Sequence, residues 1–199
     1  MTIGPAIAAA HRCVAAVVRS GDLAVDATAG NGHDTLFLAR LVGPAGRVAA
    51  VDAQAQAVTA TRQRLAAAGL GGRVLLREGR HEELGGSVPA DWAGAVRGAL
   101  FNLGYLPGSD KALVTRPATT RAALAAAVAL LAPGGRLAVV AYPGHPGGAD
   151  EAAAVAAWAG EMASAGYRRL ADGRPRHGVS PGAPRLTVLE RPYPSRRRA

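Results

Sequence analysis

Between Val25 and Thr35 the chain reads VDATAGNGHDT: an apolar run ending in an acid, two glycines one residue apart, then His33-Asp34-Thr35 where a helix should begin. Gly30 and Gly32 allow a tight turn and leave room for a ligand to approach the backbone. Asp52 closes the next apolar run, 20 residues after Gly32. A carboxylate there can accept hydrogen bonds from both hydroxyls of a ribose. To this point a nicotinamide dinucleotide and S-adenosylmethionine fit equally well, because two spaced glycines plus a distant acid are common to both.

The third position of the turn separates them. A dinucleotide fingerprint asks for Gly or Ala three residues after the second glycine, so that the helix can sit close under a pyrophosphate; this chain has Thr35. Asp26 and Asp34 would put negative charge where the pyrophosphate lies, against the helix N-terminus that normally attracts it. S-adenosylmethionine has no phosphate, and its ammonium and sulfonium centres welcome carboxylates. The residues therefore favour the methyl donor, with S-adenosylhomocysteine as its product. The donor site read this way takes Asp26, Thr28, Gly30, Asn31 and Gly32 from the turn and Asp34 and Thr35 from the helix start. Asp52 and Gln54 follow the second strand. His81, with Glu82, stands in REGRHEEL near the adenine, and Asn102 approaches the methyl group.

The acceptor side is read from FNLGYLPGSDK (101–111) and AYPGHPGGADE (141–151). Asn102 ends a strand, and in a parallel α/β sheet ligands bind beyond the carboxyl ends of the strands. An amide oxygen there can accept the N–H of an amine and turn its lone pair toward a methyl group. Tyr105 would pack on the acceptor. Tyr142 and His145 emerge on the same edge and are candidates to relay a proton. The catalytic set is thus Asn102, Tyr105, Tyr142 and His145. Displacement at a methyl carbon needs no metal. The five histidines show no ligand spacing and there is one cysteine, so no metal is expected.

These residues need a scaffold that brings strand ends together, and the hydrophobic pattern supplies one. Helical runs are expected at 5–19, 33–43, 54–69, 116–135 and 148–166. Strands are expected at 23–28, 46–53, 73–79, 96–105 and 136–144, with a closing pair at 167–173 and 184–191. Alternating βα units give a mostly parallel sheet with right-handed crossovers. This is an α/β, Rossmann-like arrangement of seven strands in the order 3-2-1-4-5-7-6, with helices on both faces and an antiparallel edge. Residues 1–191 read as one domain with an N-terminal helix, and 192–199 as a disordered basic tail. His11 and Arg12 interrupt the apolar N-terminal stretch, which argues for a helix over a leader.

At 199 residues the chain is long enough to bury a substantial core. No apolar run reaches the ~18 residues of a membrane helix. One cysteine excludes an intrachain disulfide framework and suits the cytoplasm. The formal charge is +9, and every basic residue but Lys111 is arginine. Such an excess favours a polyanionic partner.

Three stretches taken together, DATAGNGHDTLFLA (26–39), FNLGYLPGSDK (101–111) and YPGHPGGADE (142–151), resemble the small class I methyltransferases formerly labelled rRNA methylases. Members of that family methylate the 5-aminomethyl group of 2-thiouridine at the tRNA wobble position. The resemblance covers about residues 5–190. It implies a Rossmann-type domain, S-adenosylmethionine as donor, a primary amine as acceptor, the tRNA anticodon arm as partner and a homodimer. By position it matches Asp26, Gly30 and Gly32 to the donor turn and Asp52 to the ribose. Asn102, Tyr105, Tyr142 and His145 fall on the acceptor side. The alternatives from the residues alone are methylation of rRNA or of a small-molecule amine, and a nicotinamide-binding oxidoreductase.

Overall fold

The computed structural model describes residues 4–104, 116–173 and 180–194. Their strands form one sheet in the order β3-β2-β1-β4-β5-β7-β6. They are β1 (Leu23–Asp26), β2 (Arg47–Asp52), β3 (Val74–Glu78), β4 (Val96–Asn102), β5 (Leu131–Ala141), β6 (Arg168–Asp172) and β7 (Arg185–Glu190). The first five pair in parallel, and β7 runs antiparallel to both β5 and β6. This is the strand order and the antiparallel edge expected from the sequence. It puts the ends of β1 and β4 side by side where the strand order reverses, the crevice in which α/β sheets bind ligands.

The strands of a parallel sheet are covered on both faces and read as nearly continuous apolar runs. Here the alternation along each strand divides the core in two. Val25, Ala99, Phe101 and Val139 face a cluster with Leu84, Trp92, Leu124 and Trp158. That side is covered by α4 (Leu84–Ser87), α5 (Pro117–Leu130) and α6 (Gly148–Ser164). Ala24, Leu100, Ala138 and Val140 face the other cluster, with Val14, Val18, Leu38 and Leu65. That side is covered by α1 (Pro5–Ala15), α2 (His33–Leu41) and α3 (Ala55–Ala67). Helix α1 precedes the first strand and packs on β4, β5 and β7. It can lie close because β4 has Gly98 beneath it: a Cβ there would stand 2.6 Å from methyl groups of both Val14 and Val18.

The structure differs from the sequence pattern at three places. The helix expected over 116–135 stops at Leu130, and β5 begins at Leu131. Pro133 lacks an N–H and disfavours helical backbone before it, so Leu-Ala-Pro-Gly-Gly joins the strand. Leu131 pairs with Val96, and the register then shifts before Gly98 meets Arg136. The REGRHEEL stretch, read as an open charged turn, instead forms a 3-10 turn over His81–Glu83 leading into α4, anchored by fully buried Leu84. The first helix ends at Ala15, short of the expected 19. Of the segment read as a tail, residues 195–199 lie outside the described residues.

Replacing Gly98 by Ala should lift α1 from the sheet. We expect a loss of about 1–3 kcal/mol, the usual cost of forcing atoms into a filled core, measured as a lower urea midpoint.

Candidate active site

The turn after β1 is fixed by groups distant in sequence. Its entry is held by the Ala27 N–H on the Leu100 carbonyl (3.0 Å) and the Ala29 N–H on the Val51 carbonyl (2.9 Å). The Gly30 N–H donates to Asp52 Oδ2 at 2.8 Å, and the Gln54 N–H to Asp52 Oδ1 at 3.0 Å. A carboxylate offers about four acceptor sites, so half-buried Asp52 keeps capacity for a sugar diol while it shapes the turn. From the opposite side α3 grips two carbonyls. Thr61 Oγ1 donates to Gly30 O at 2.9 Å, and Arg64 Nε to Asn31 O at 2.6 Å.

Gly32 is needed for a reason the sequence did not show. Its φ is +78°, and a Cβ would come within 2.9 Å of the Thr61 backbone. The space its missing side chain leaves is occupied by α3, so the expectation that Gly32 makes room for the ligand is corrected. Gly30, at φ +52°, also needs the left-handed region that glycine tolerates.

The acids of the turn are more enclosed than a loop position suggests. Asp26 is fully buried; it accepts the Thr28 N–H at 3.1 Å and the Thr35 hydroxyl at 2.6 Å. It therefore staples the turn to the first turn of α2. Burial above all, and then the charge of Asp34, push its carboxyl up to about 7. Asp34, in the first turn of α2, is buried and bonded at 2.7 Å to His11 Nε2 from α1. The His11 ring stacks on Phe37, with centroids 3.8 Å apart.

The carboxyl end of β4 joins the same cluster. The Asn102 N–H donates to Thr28 Oγ1 at 2.7 Å, tying the ends of β1 and β4 together. The Asn102 side chain hydrogen-bonds Tyr142, whose hydroxyl is pushed up by burial first and then by the Asp34 charge. Gly104 faces both Tyr142 and His145: a Cβ on it would lie 3.6 Å from the Tyr142 ring and 3.8 Å from His145 Nε2. His145 Nδ1 is 3.0 Å from Pro146 O. Thus Asn102, Tyr142 and His145 converge; Tyr105 lies outside the described residues. His81 stands beyond β3 with its Nε2 buried and lacking a hydrogen-bond partner among the described residues. Burial holds its imidazole below the ordinary range, hence neutral. No group of metal-ligating side chains occurs among the described residues.

Sequence reasoning missed Thr61, Arg64 and His11. Each lies on a helix whose pattern reads as core or surface, and each reaches the turn from more than 20 positions away, which no local motif reports.

Fold and site together define a Rossmann-like class I methyltransferase architecture. The family model described as "Putative rRNA methylase" matches residues 48–173, and the chain belongs to this family. A curated relative, the chloroplastic tRNA (mnm(5)s(2)U34)-methyltransferase of Arabidopsis thaliana, is 40% identical over 158 residues, 75% of this chain. The chain spans 57% of that relative's length. The crystal structure of an rRNA methylase of the same description from Clostridium thermocellum aligns with a TM-score of 0.86 and 34% identity, over 96% of this chain and 99% of the other. A methyltransferase from Streptococcus mutans, crystallised with S-adenosylhomocysteine, aligns with a TM-score of 0.80 and 32% identity, over 95% and 99%.

The raised Asp26 pKa is a statement about stability. Its folded value, about 7, lies above the ordinary 3.8. Folding therefore favours the protonated acid, and this contribution is complete below about pH 4 and lost as pH rises toward 7. We expect the ligand-free protein to lose on the order of 1–3 kcal/mol between pH 5 and pH 8 from this group, a tenfold change in acidity being worth about 1.4 kcal/mol. In Asp26→Asn that decline should shrink, as read from urea midpoints at the two pH values.

Proposed function

We propose that this protein is an S-adenosylmethionine-dependent N-methyltransferase that methylates the 5-aminomethyl group of 2-thiouridine at the tRNA wobble position. The observation that carries the methyl-donor part is the set of carboxylates Asp26, Asp34 and Asp52 around a two-glycine turn, directly beside Asn102. A pyrophosphate would meet like charge there, while a ligand with an ammonium and a sulfonium offsets it. The residues fit the donor in other respects too: Asp52 has acceptor capacity to spare, and the buried Nε2 of His81 is unmatched on the side where an adenine edge would lie.

When bound, S-adenosylmethionine supplies a methyl group carried on a positive sulfur. What this chain contributes is placement. Asp52 holds the sugar, and the turn, clamped by Thr61 and Arg64, fixes the amino-acid end. Asn102, steadied through its N–H by Thr28 and through its side chain by Tyr142, accepts an N–H of the amine and aims the lone pair. Alignment of this kind can supply about 7–11 kcal/mol of the barrier. The RNA partner, a homodimer and a cytoplasmic setting belong to this proposal as well. Their support is the basic charge, the single cysteine, the family resemblance and the name of the plant relative.

The test is mass spectrometry of tRNA nucleosides from a deletion strain of a host that makes 5-methylaminomethyl-2-thiouridine. Accumulation of the unmethylated 5-aminomethyl form is expected, and an unchanged nucleoside profile would refute the tRNA assignment. Methylation of a free amine at equal efficiency, insensitive to salt, would move the acceptor to a small molecule, since a tRNA complex should weaken steeply as salt rises.

The α3 grip gives a second expectation. Thr61→Val removes the hydroxyl on the Gly30 carbonyl at nearly constant volume. Affinity for S-adenosylhomocysteine should fall about 5- to 10-fold, the worth of about 1 kcal/mol for one hydrogen bond. Thr61→Ser should stay near the wild type, and kcat at saturating donor should change little. Calorimetry and steady-state kinetics separate the two.

A further inference from the structure

We propose that Asp34 and His11 form the proton-accepting pair for an alkylammonium acceptor, with Asp34 meeting the acceptor and His11 positioning that carboxylate from α1. The inference rests on the methyltransferase reading above and goes beyond it by naming where the amine's proton goes.

Three observations carry it. First, the pair is built: Nε2 to Oδ1 is 2.7 Å, both residues are 8% exposed, and Phe37 holds the imidazole flat against its own ring. Second, Asp34 makes no other side-chain hydrogen bond among the described residues. Its second oxygen is open, in contrast to Asp26, where both oxygens are occupied within the turn. Third, Asp34 stands between the donor turn and the acceptor side. Its charge is felt at Asp26 on one side and at Tyr142 on the other, and Tyr142 bonds the Asn102 side chain. A carboxylate backed by an imidazole is the arrangement that lets a pair take up one proton without stranding a charge.

The step balances as follows. The acceptor enters as R–CH2–NH3+. One N–H bond breaks, and its proton passes to the open oxygen of Asp34, whose negative charge is steadied across the bond to His11; the pair goes from a net charge of −1 to 0. The neutral nitrogen then forms its bond to the methyl carbon as the carbon–sulfur bond breaks, its electron pair staying on sulfur. The product leaves as a secondary ammonium, and the pair returns its proton to solvent.

Other charged and titratable groups on the elements packed against His11 are few. From α2 there are Asp34 itself and His33 at the helix start. From β5 there are Tyr142 and Arg136; Arg136 donates to the Cys13 carbonyl of α1 and pairs with Glu190 of β7. From β4 there is Arg97, which donates to the Pro133 carbonyl.

The test uses the full chain, S-adenosylmethionine and tRNA carrying the 5-aminomethyl nucleoside. His11→Asn keeps an N–H to donate to Asp34 and cannot take up a proton. We expect its kcat near pH 7 to fall on the order of 10- to 100-fold, the range for losing a general base. The deficit should narrow as pH rises toward the amine's own pKa, and the Kd for S-adenosylhomocysteine should stay within about twofold of wild type. Asp34→Asn should show the same pH-dependent loss, and His11→Ala the same loss with a lowered melting temperature. A wild-type pH profile in His11→Asn would overturn the proposal by reducing His11 to a packing residue. A loss of donor affinity matching the loss of kcat would also overturn it, by placing the pair on the donor side. If the wild-type protein binds no S-adenosylhomocysteine or methylates no amine, the function itself fails; an active wild type with an unshifted variant fails only this role.

Discussion

The Gly30 N–H on the Asp52 carboxylate is the contact on which the site depends. A strand that ends in a tight turn leaves backbone N–H groups that its neighbours in the sheet no longer pair, and a buried unpaired N–H is costly. Asp52 pairs one of them from the end of the adjacent strand, so the turn after β1 takes its shape from β2. The parallel register, with Asp26 opposite Ala50 and Asp52 opposite Glu78, puts this carboxylate level with the turn. Thr61 and Arg64 close the other side, and Thr28 carries the constraint to Asn102. Donor turn and acceptor strand are therefore one hydrogen-bonded unit, and an error in strand register would separate them.

The protein reconciles two opposite electrostatic demands. Its formal charge is +9, and Arg12, Arg40, Arg62, Arg77, Arg80 and Arg116 are exposed. Yet at the carboxyl edge of the sheet the enclosed titratable side chains are dominated by acids: Asp26, Asp34 and Glu151 buried, Asp52 half-buried. Exposed cations act over a Debye length and recruit a polyanion. Enclosed carboxylates act over a few ångströms in a poorer dielectric and select a cation. A nucleic acid bearing a protonated amine on one base suits both, because its phosphates meet the outer charge and its ammonium meets the inner one.

Local chemistry was legible in the sequence and long-range support was not. The strand order followed from apolar periodicity and the alternation of elements. Asp52 was recognisable because an acid closing the second strand has few structural reasons to be there. The boundary between α5 and β5 was misplaced because Leu-Ala-Pro-Gly-Gly reads locally as a turn, whereas pairing with Val96 draws it into the sheet. Gly32 stood out in the sequence for the tight turn it permits, but the neighbour that requires it, Thr61, is a tertiary fact. His11 sits in an alanine-rich helix and reads as packing. Its partner Asp34 lies 23 positions away, and only the placement of α1 across the sheet brings them together.

That placement has an energetic counterpart. Burying Asp26 beside Asp34 and Asp52 raises its pKa, so near neutral pH the ligand-free site holds like charges together at a cost. Structural acids can be neutralised by arginine, and the chain has arginine in abundance; Arg64 is within reach of the turn, yet it is spent on the Asn31 carbonyl. Leaving the carboxylates without a cationic side chain keeps that cost available to whichever ligand arrives with positive charge. A dinucleotide would increase it, whereas a sulfonium with an ammonium would relieve it, and the demethylated product, having lost the sulfonium charge, would relieve it less. The same uncompensated carboxylates that discriminate between cofactors therefore also favour exchange of spent product for fresh donor.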